Sequence, residues 1–239
     1  MRTESLANDV EVFVGDTYSS NATIFRSPEG TLIIDALAST ADARALAARA
    51  APVRLVILTH GFSDHLAALG TFAGVPVLAH RALGATFARE QFRSDEEATF
   101  FREPTVHIAH PTSVTWGRHL LELTPLPGHT ESDLVIDVPS IDTLFTGDIA
   151  VGNIAYFNYS DIPAHRAALE WCIAHARGRV VQGHGGVKSA QTLRDALAYL
   201  DGFLRGDPPE PAAPFERVFH QRNLELLRRP AVAQRERAG

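Results

Sequence analysis

The sequence predicts an α/β (α+β) fold in which two β-sheets pack face to face and helices cover their outer faces. Short apolar runs typical of strands fall into two successive groups, and helical stretches close each group. In addition, 239 residues are enough for one large β-containing domain with a substantial buried core. Because the sequence contains no close internal repeat, the two halves are expected to share an architecture and not a sequence pattern.

The first group contains five expected strands: Val10–Val14, Asn21–Arg26, Thr31–Asp35, Val53–Thr59 and Val75–Ala79. Helices are expected at Ala41–Ala51 and Asp64–Phe72, and the first should stop there because Pro52 disfavours helical backbone in the residue before it. A charged helical insertion, Arg81–Arg102, follows and carries four aromatic residues: Phe87, Phe92, Phe100 and Phe101. It is expected to form either a lid over a functional site or a helix pair packed on the body or on a second subunit.

The second group contains five more expected strands: Val106–Ala109, Leu120–Thr124, Asp133–Val138, Asp142–Thr146 and Arg179–Gln182. Two helices are expected, from about Pro163 to Arg177 and from Lys188 to Leu204. Residues 1–206 are therefore expected to form the main domain. Residues 207–239 should add a Pro-rich linker, Asp207–Pro214, and a helical extension that packs on the same domain. The expected helix is Phe215–Arg229, and its buried stripe would consist of Phe215, Val218, Phe219, Leu224, Leu226 and Leu227; a partner-binding helix is the alternative.

Composition excludes several classes of function. The net charge of −6 leaves no basic excess for nucleic acid, and no apolar run approaches a membrane span. The first twenty residues do not resemble a signal peptide, so a cytoplasmic location is expected. The single cysteine, Cys172, cannot form an intramolecular disulfide and is expected to be a buried thiol. Any metal ion would therefore be bound through nitrogen and oxygen, and the 11 histidines are the one unusual feature of the composition.

Four apolar runs end in a residue that can bind a metal ion or support one that does: Asp35, His60, Asp148 and His184. Functional residues collect in the loops that follow buried strands. Glycines beside or near three of these residues permit tight turns and close approach of separate loops: Gly61, Gly147, Gly183 and Gly185. The sequence therefore predicts that these loops converge.

The segment THGFSDHLAAL, residues 59–69, is the most specific motif. Ser63 is expected to cap a helix whose first turn contains Asp64, where the helix dipole favours a carboxylate and keeps His65 neutral. Three further motifs accompany it, namely PGHT at 127–130, TGD at 146–148 and GHGG at 183–186. Together these motifs indicate a metal site more strongly than they indicate ordinary helix capping.

With these motifs in this order, the sequence resembles the metallo-β-lactamase superfamily over roughly residues 10–190. The resemblance implies a four-layer αββα sandwich with a metal site at the edge of the two sheets. The hallmark of the superfamily is His-x-His-x-Asp-His followed by a distant His, Asp and His, which implies six ligands here: His60, Asp64, His65, His129, Asp148 and His184. For Asp35 it implies a supporting role that orients the loop. The seven other histidines are expected to be structural or on the surface.

The second histidine of the hallmark is Phe62 in this chain, and phenylalanine cannot coordinate a metal ion. The resemblance implies that one site, with His60, His129 and a share of Asp148, is depleted. The other keeps its full set: Asp64, His65, His184 and Asp148. Four nitrogen and oxygen ligands suit Zn²⁺, so one or two zinc ions are expected.

The resemblance implies a metal-dependent hydrolase that acts on an ester, thioester, lactone or amide-like bond of a small molecule. Asp64 or His129 can act as general base, and Phe62 predicts a substrate with an apolar part. The segment after Asp148 offers further hydrogen-bonding groups: Asn153, Tyr156, Asn158 and Tyr159. A homo-oligomer is compatible with the sequence.

Two other functions stay open. His60, His129 and Asp148 match the ligand set of mononuclear Fe²⁺ oxygenases, and the resemblance extends to the persulfide dioxygenases of the superfamily. The second alternative is a binding protein that has lost catalytic metal.

Overall fold

The computed structural model describes residues 1–91 and 93–228. The first sheet has seven strands in chain order: β1 Arg2–Ala7, β2 Val10–Val14, β3 Asn21–Ser27, β4 Gly30–Ile34, β5 Val53–Ile57, β6 Val77–His80 and β7 Val106–Ile108. Its strands are antiparallel from β1 to β4 and parallel from β4 to β7. Strands β1 to β4 need only short turns, whereas helices and longer connections join the parallel strands.

The second sheet has six strands, β8 Thr112–Trp116, β9 His119–Pro125, β10 Leu134–Val138, β11 Thr143–Gly147, β12 Arg179–Gln182 and β13 Val187–Lys188. Their order is β13-β12-β11-β10-β9-β8, and only β11 and β12 are parallel. A core of alternating apolar residues from both sheets, including Phe25, Ile57, Phe145 and Val181, lies between them.

In the part of the chain that the structure describes, the outer faces are covered by five α-helices: α1 Thr40–Ala50, α2 Leu83–Arg89, α3 Ile162–Ala174, α4 Gln191–Leu204 and α5 Pro214–Arg228. Helix α1 packs on the first sheet through Leu46, and helices α3 and α4 pack on the second through Leu169 and Leu200. The predicted two-sheet α/β sandwich is confirmed. Among the described helices, none is both long enough and apolar enough to cross a bilayer.

The predicted helix at Asp64–Phe72 is wrong. The segment forms two short 3-10 turns, Ser63–His65 and Ala67–Gly70. Backbone N–H groups that would continue an α-helix donate to the segment after β4 instead, from Ala67 to the Leu37 carbonyl and from Ala68 to the Ala36 carbonyl. Ser63 does not cap the turn, because its N–H and hydroxyl both donate to the Glu90 carboxylate.

Apart from residue 92, which is not described, the insertion contains one α-helix, α2, and a short 3-10 turn at Glu97–Thr99 in place of a helix pair. Phe87 and Phe101 stack with ring centroids 4.9 Å apart, and Phe100 is buried against the first sheet. The insertion thus packs on the body, while Phe92 lies outside the described residues. The sequence missed strands β1, β8 and β13. Strands β1, β8 and β13 lie at sheet edges, where one-sided exposure weakens the apolar pattern.

Helix α5 packs on the second half of the molecule mainly through Phe219, which is buried beside α4. Val218 is exposed, so the predicted apolar stripe is wrong at that position. The described part of the buried face carries three polar residues in addition, Glu216, His220 and Asn223. The predicted positions Leu226 and Leu227, and residues 229–239, lie outside the described side chains.

Candidate metal centre

The carboxyl ends of the parallel pairs β4–β5 and β11–β12 meet at one edge of the sandwich. Two backbone hydrogen bonds join the sheets there, from the Asn21 N–H to the Gly183 carbonyl and from the Leu134 N–H to the Thr59 carbonyl, both 2.7 Å. The loops that follow these strands carry four predicted residues: Asp35, His60, Asp148 and His184. The predicted convergence of these loops is therefore observed.

All six residues implied as ligands are buried. Two groups of side-chain atoms lie within 4.8 Å of one another and could hold a metal ion, His60 with His65 and Asp148, and Asp64 with His65 and His184. The structure thus brings together three residues of the predicted complete site. His129 belongs to neither group, although its ring centroid is 5.2 Å from that of His60.

Unpartnered polar atoms are concentrated in this region. Among the described residues, six buried side-chain atoms accept or donate no hydrogen bond: Ser20 Oγ, His60 Nε2, Asp64 Oδ1, His65 Nε2, His129 Nε2 and Asp148 Oδ1. Five of these six atoms belong to the implied ligands. A buried polar atom without a hydrogen bond costs roughly 1–3 kcal/mol. His65 Nε2 lies within ion-pair distance of Asp148 Oδ1 and Asp64 Oδ1, at 3.5 and 3.7 Å, so the penalty is greatest at His60 Nε2 and His129 Nε2. Their shared location fits a bound cation.

The four histidines are oriented through Nδ1. His129 Nδ1–H donates to the Tyr156 carbonyl at 2.6 Å, and His184 Nδ1–H donates to the Tyr18 carbonyl at 2.9 Å. His65 Nδ1–H donates to the Asp35 carboxylate at 3.2 Å. Each bond leaves Nε2 facing the site. Although burial opposes it, the charges of Asp148 and Asp64 raise the pKa of His65 well above its usual value, so the expected neutral His65 is wrong and a metal ion must displace a proton there.

Asp35 supports the site from behind, as the resemblance implied. Its carboxylate accepts from the Thr59 N–H at 2.8 Å and from the Thr59 hydroxyl at 2.7 Å, as well as from His65. Since the Thr59 hydroxyl proton goes to Asp35, its oxygen can accept from His60 Nδ1–H at 3.2 Å. One carboxylate therefore orients two of the histidines.

Gly183 shows why a small residue precedes His184. A Cβ atom there would overlap Asp148 Oδ1 and press on the His65 ring. Gly147 has a φ of +51° and lies against Thr59. Both glycines permit the close approach of loops that brings the ligands together.

The electrostatics of the site suit a cation. Burial opposes ionisation of Asp148, but the charges of His184 and His65 hold its pKa well below the usual range. Burial, aided by the neighbouring His65, lowers the pKa of His60 well below its usual value, which keeps the ring neutral. Ionised carboxylates beside a neutral imidazole are the forms that bind divalent metal ions.

Phe62 lies against the site and supplies no ligand atom. Its ring centroid is 5.3 Å from His60, 4.9 Å from His129 and 5.0 Å from Tyr159. A cleft of about 830 Å³ opens beside this wall, between α2 and the loops around His129 and residues 158–164. Among the described residues that line the cleft, none is an implied ligand. Gly128 and Thr130 line it, and they are the neighbours of His129 in the sequence.

Sequence reasoning missed three residues that hold the site. Asp133 accepts from the Thr130 N–H at 2.9 Å and from its hydroxyl at 2.6 Å, which fixes the turn after His129. His165 was assigned no motif, yet its Nε2–H donates to the carbonyl of Ile149, next to Asp148, at 2.8 Å. Glu90 holds the turn that carries Asp64 through Ser63. Only Asp133 lies near a motif; Glu90 and His165 are brought in by tertiary structure.

The remaining predicted residues take structural positions. Cys172 is buried, as expected. Asn158 donates to the Tyr156 hydroxyl at 3.2 Å, and the Tyr159 hydroxyl accepts from the Gln91 N–H at 2.7 Å. The Asn153 N–H donates to Glu216 of α5 at 2.8 Å. The segment after Asp148 therefore lies between the site and α5.

Known proteins resemble this chain at the level of fold. A metallo-beta-lactamase from Pontibacter korlensis is 19% identical, with a TM-score of 0.68, over 84% of this chain and 98% of that one. An archaeal metallo-beta-lactamase superfamily protein from Sulfolobus tokodaii is 17% identical, with a TM-score of 0.67, over 92% and 96%. The stereoselective inverting sec-alkylsulfatase from Pseudomonas sp. is 16% identical, with a TM-score of 0.69, over 85% of this chain and 42% of that one. Such identities show the fold alone.

The search of curated proteins finds no match. The model of the metallo-beta-lactamase superfamily matches residues 15–201, which is most of the chain and ends before α5. This superfamily includes hydrolases such as β-lactamases and sulfatases and typically binds divalent metal ions. With its two-sheet sandwich and its edge cluster of histidines and aspartates, the chain belongs to the metallo-β-lactamase superfamily.

Proposed function

We propose that this protein is a metal-dependent hydrolase that cleaves an ester, thioester, lactone or amide-like bond of a small molecule with an apolar part. The observation that carries the proposal is the set of five unpartnered nitrogen and oxygen atoms of implied ligands, buried at one edge of the sandwich. This region is where two strand pairs bring their loops together. Function in open sheets is commonly found at such strand ends.

The donor set fits zinc. Asp64, His65 and His184, with Asp148, would hold one ion. His60 and His129, with a share of Asp148, offer a poorer second site because Phe62 supplies no donor. A zinc ion held by Asp64, His65, His184 and Asp148 would supply Lewis-acid chemistry that activates water and polarises the bond to be cleaved.

Asp64 is proposed as the general base. Its Oδ1 has no hydrogen-bond partner, and its Oδ2 lies 3.4 Å from His184 Nε2. A carboxylate in this position can accept a hydrogen bond from the attacking water and then take its proton. His129 Nε2 is the alternative acceptor, since its Nδ1–H is committed to the Tyr156 carbonyl.

The apolar part of the substrate is proposed to lie against Phe62. A small pocket shares four lining residues with the large cleft, Arg89, Thr130, Glu131 and Tyr159, and is closed by Phe62 and Thr86. The cleft therefore extends to the aromatic wall beside His129. Such a wall favours an acyl or alkyl group over a charged one.

An Fe²⁺ oxygenase is the second candidate. His60 Nε2 and His129 Nε2 both lack partners, and Asp148 Oδ1 lacks one as well. Two histidines and a carboxylate are the ligands of such oxygenases, and Phe62 would not interfere. Against this candidate, the unpartnered atoms of Asp64 and His65 would have no role.

Metal analysis of protein purified without added metal separates the candidates. Zinc without oxygen uptake supports the hydrolase, whereas stoichiometric iron with oxygen uptake would refute it. Failure to bind any divalent ion tightly would favour a binding protein. A screen of esters, thioesters, lactones, β-lactams and phosphodiesters then identifies the bond, since the fold alone does not choose among them.

The role of Asp64 has its own test. Asp64→Asn keeps the size of the side chain but removes the basic oxygen. We expect turnover to fall by about 100-fold or more, the upper part of the effect typical of general base catalysis. A variant that keeps both its metal and full turnover would refute the assignment.

A further inference from the structure

We infer that the substrate reaches the metal centre from the large cleft through a gate formed by Tyr159 and Phe62, and that Gln91 holds this gate closed. The inference rests on the proposed hydrolase and deepens it, because it assigns the route by which the substrate enters. A route has to open because the implied ligands are covered. Asp64, the most exposed of the six, is 8% exposed, and the other five are at most 1% exposed.

The cleft and the metal centre are neighbours, but two aromatic rings separate them. The cleft is lined by Gly128 and Thr130, on either side of His129, and by Tyr159. The Tyr159 ring packs on Phe62 with centroids 5.0 Å apart, and Phe62 packs in turn on the His129 ring at 4.9 Å. A path from the cleft to the His129 ring therefore passes Tyr159 and then Phe62.

Phe62 is the fixed side of the gate. It is buried, and its ring centroid also lies 5.3 Å from that of His60. The next residue is anchored as well, because the Ser63 N–H and hydroxyl donate to the Glu90 carboxylate at 3.0 and 2.9 Å. Displacement of Phe62 would disturb the turn that carries Asp64, since packed interiors transmit such shifts.

Tyr159 is the side of the gate that can move. It is partly buried and lies in a turn between β11 and α3. The backbone on either side is anchored at the metal centre: the Tyr156 carbonyl accepts from His129 Nδ1–H at 2.6 Å, and the Ser160 hydroxyl donates to the His129 carbonyl at 3.1 Å. The cleft of about 830 Å³ has room for the ring. Rotation of the Tyr159 side chain into the cleft would therefore uncover Phe62 and leave the loop in place.

The end of α2 supplies the latch. The Gln91 N–H donates to the Tyr159 hydroxyl at 2.7 Å, and both residues line the cleft. Glu90, which precedes Gln91, is bound to Ser63, so the position of Gln91 is set relative to the turn that follows Phe62. The hydrogen bond to the Tyr159 hydroxyl thus favours the ring position that covers Phe62. Opening of such a latch is a conformational step that precedes the chemistry.

The gate explains how Phe62 can contact a substrate although Tyr159 covers it. Once the Tyr159 ring has turned into the cleft, the surface of Phe62 that it covered is available to an apolar acyl or alkyl group. That group takes the place of the tyrosine ring, so the apolar contact is exchanged and not lost.

The rates of metal uptake and release test the gate without turnover. An ion that reaches the site from the cleft passes the same gate, so a looser gate should speed both rates equally. Metal affinity should stay unchanged, because Tyr159 is not an implied ligand. Tyr159→Phe loses the bond from Gln91 and should speed both rates by about 3- to 10-fold, the effect of one hydrogen bond. Tyr159→Ala also lacks the ring and should speed both by at least about 10-fold, since minor open states are typically populated at about 10% or less. Transfer of zinc to and from a chromogenic chelator measures the rates.

Gln91→Pro attacks the latch from the other side. It removes the N–H donor and should match Tyr159→Phe; the extended backbone of Glu90, with φ −65° and ψ 121°, accepts a following proline. The matched control is Tyr199→Phe, which loses a buried hydroxyl 2.8 Å from His220 Nδ1 and should leave both rates unchanged. Circular dichroism verifies the fold of each variant. Unchanged rates in Tyr159→Ala, or faster release with a proportional loss of affinity, would overturn the inference.

Modification of histidines by diethyl pyrocarbonate gives a second readout, in protein purified without metal. Tyr159→Ala should speed modification of His60 and His129 by at least about 10-fold, as mapped by mass spectrometry. Buried His119, hydrogen-bonded to Asp9, should keep the wild-type rate. Wild-type rates at His60 and His129 would overturn the gate even if the protein cleaves esters. Faster rates in a protein that cleaves no ester would instead support the gate and contradict the proposed hydrolase.

Discussion

The two ends of the sandwich both contain buried histidines, but their ring nitrogens are used differently. At the end opposite the metal centre, His119 opens β9, with Nδ1 2.7 Å from the Ser140 hydroxyl and Nε2 3.1 Å from the Asp9 carboxylate. At the metal centre, the Nε2 atoms of His60, His65 and His129 form no hydrogen bond. All four histidines are buried.

Burial alone therefore does not distinguish a ligand from a structural histidine. The second ring nitrogen does so at His60, His65 and His129, whereas His184 Nε2 contacts a fellow implied ligand, Asp148 Oδ2, at 3.2 Å. His165 shows this within the site itself. Its Nδ1 lies 3.0 Å from the Ser160 hydroxyl, and its Nε2–H donates to the Ile149 carbonyl. Burial lowers its pKa to about 3, so the ring is neutral. His165 holds loops together, and no nitrogen is left for an ion.

The largest expected effect comes from removing a carboxylate shared by both ion positions. Asp148→Ala should reduce metal affinity and activity by more than about 100-fold, beyond the loss typical of residues that only orient ligands. Metal content by mass spectrometry and titration against a chelator measure it. His119→Gln, at the other end, should keep its metal. Full metal content in Asp148→Ala would contradict the assigned site.

Asp35→Asn tests the residue that orients two ligands. The amide cannot accept from His65 and Thr59 as a carboxylate does, so metal affinity should fall about 10- to 100-fold. Chelator competition measures the affinity, and circular dichroism verifies the fold. If the folded variant binds metal as tightly as wild type, then Asp35 only supports the strand end.

Phe62→His adds a ring nitrogen beside His60 and His129. We expect the bound metal to rise from one ion towards two per chain and the binding of an apolar substrate to weaken. Phe62→Leu is the matched control, because it keeps an apolar wall without a donor. The number of metal ions bound per chain is the measurement. An unchanged number in Phe62→His would count against a site that lacks a ligand at this position.

The smallest effect is expected at the opposite end. Hydrogen bonds from Arg118 lower the pKa of Asp9 to about 2, despite some burial. The stabilisation is present above the unfolded pKa of about 4 and is lost as the pH falls through about 2. At pH 6, the free energy of unfolding of the wild type should exceed that of Asp9→Asn by less than about 1 kcal/mol, because the Asp9–Arg118 ion pair is partly exposed.

Urea unfolding of both proteins between pH 6 and pH 2 measures this difference, which should shrink towards the acid end. A constant difference over that range would show that ionisation of Asp9 contributes nothing. Added zinc should change the stability of wild type and Asp9→Asn equally, because Asp9 lies at the end of the sandwich opposite the metal centre.

The sequence predicted the sandwich and the converging strand ends because both depend on local patterns, and the resemblance implied the supporting position of Asp35. It failed at Ser63–Gly70, where hydrogen bonds to the segment after β4 replace the helical ones. It also gave no indication of Glu90 or His165. Both reach the site from elements distant in sequence, so only the packing of α2 and α3 reveals them.

Helix α5 has a consequence for the order in which the site is completed. Every implied ligand is synthesised by residue 184, whereas the groups that anchor the loop after Asp148, Glu216 and Asn223, come more than thirty residues later. A nascent chain can therefore assemble its cation site while one side is still open to solvent. That side closes last, when α5 has left the ribosome and Glu216 and Asn223 bind the loop after Asp148.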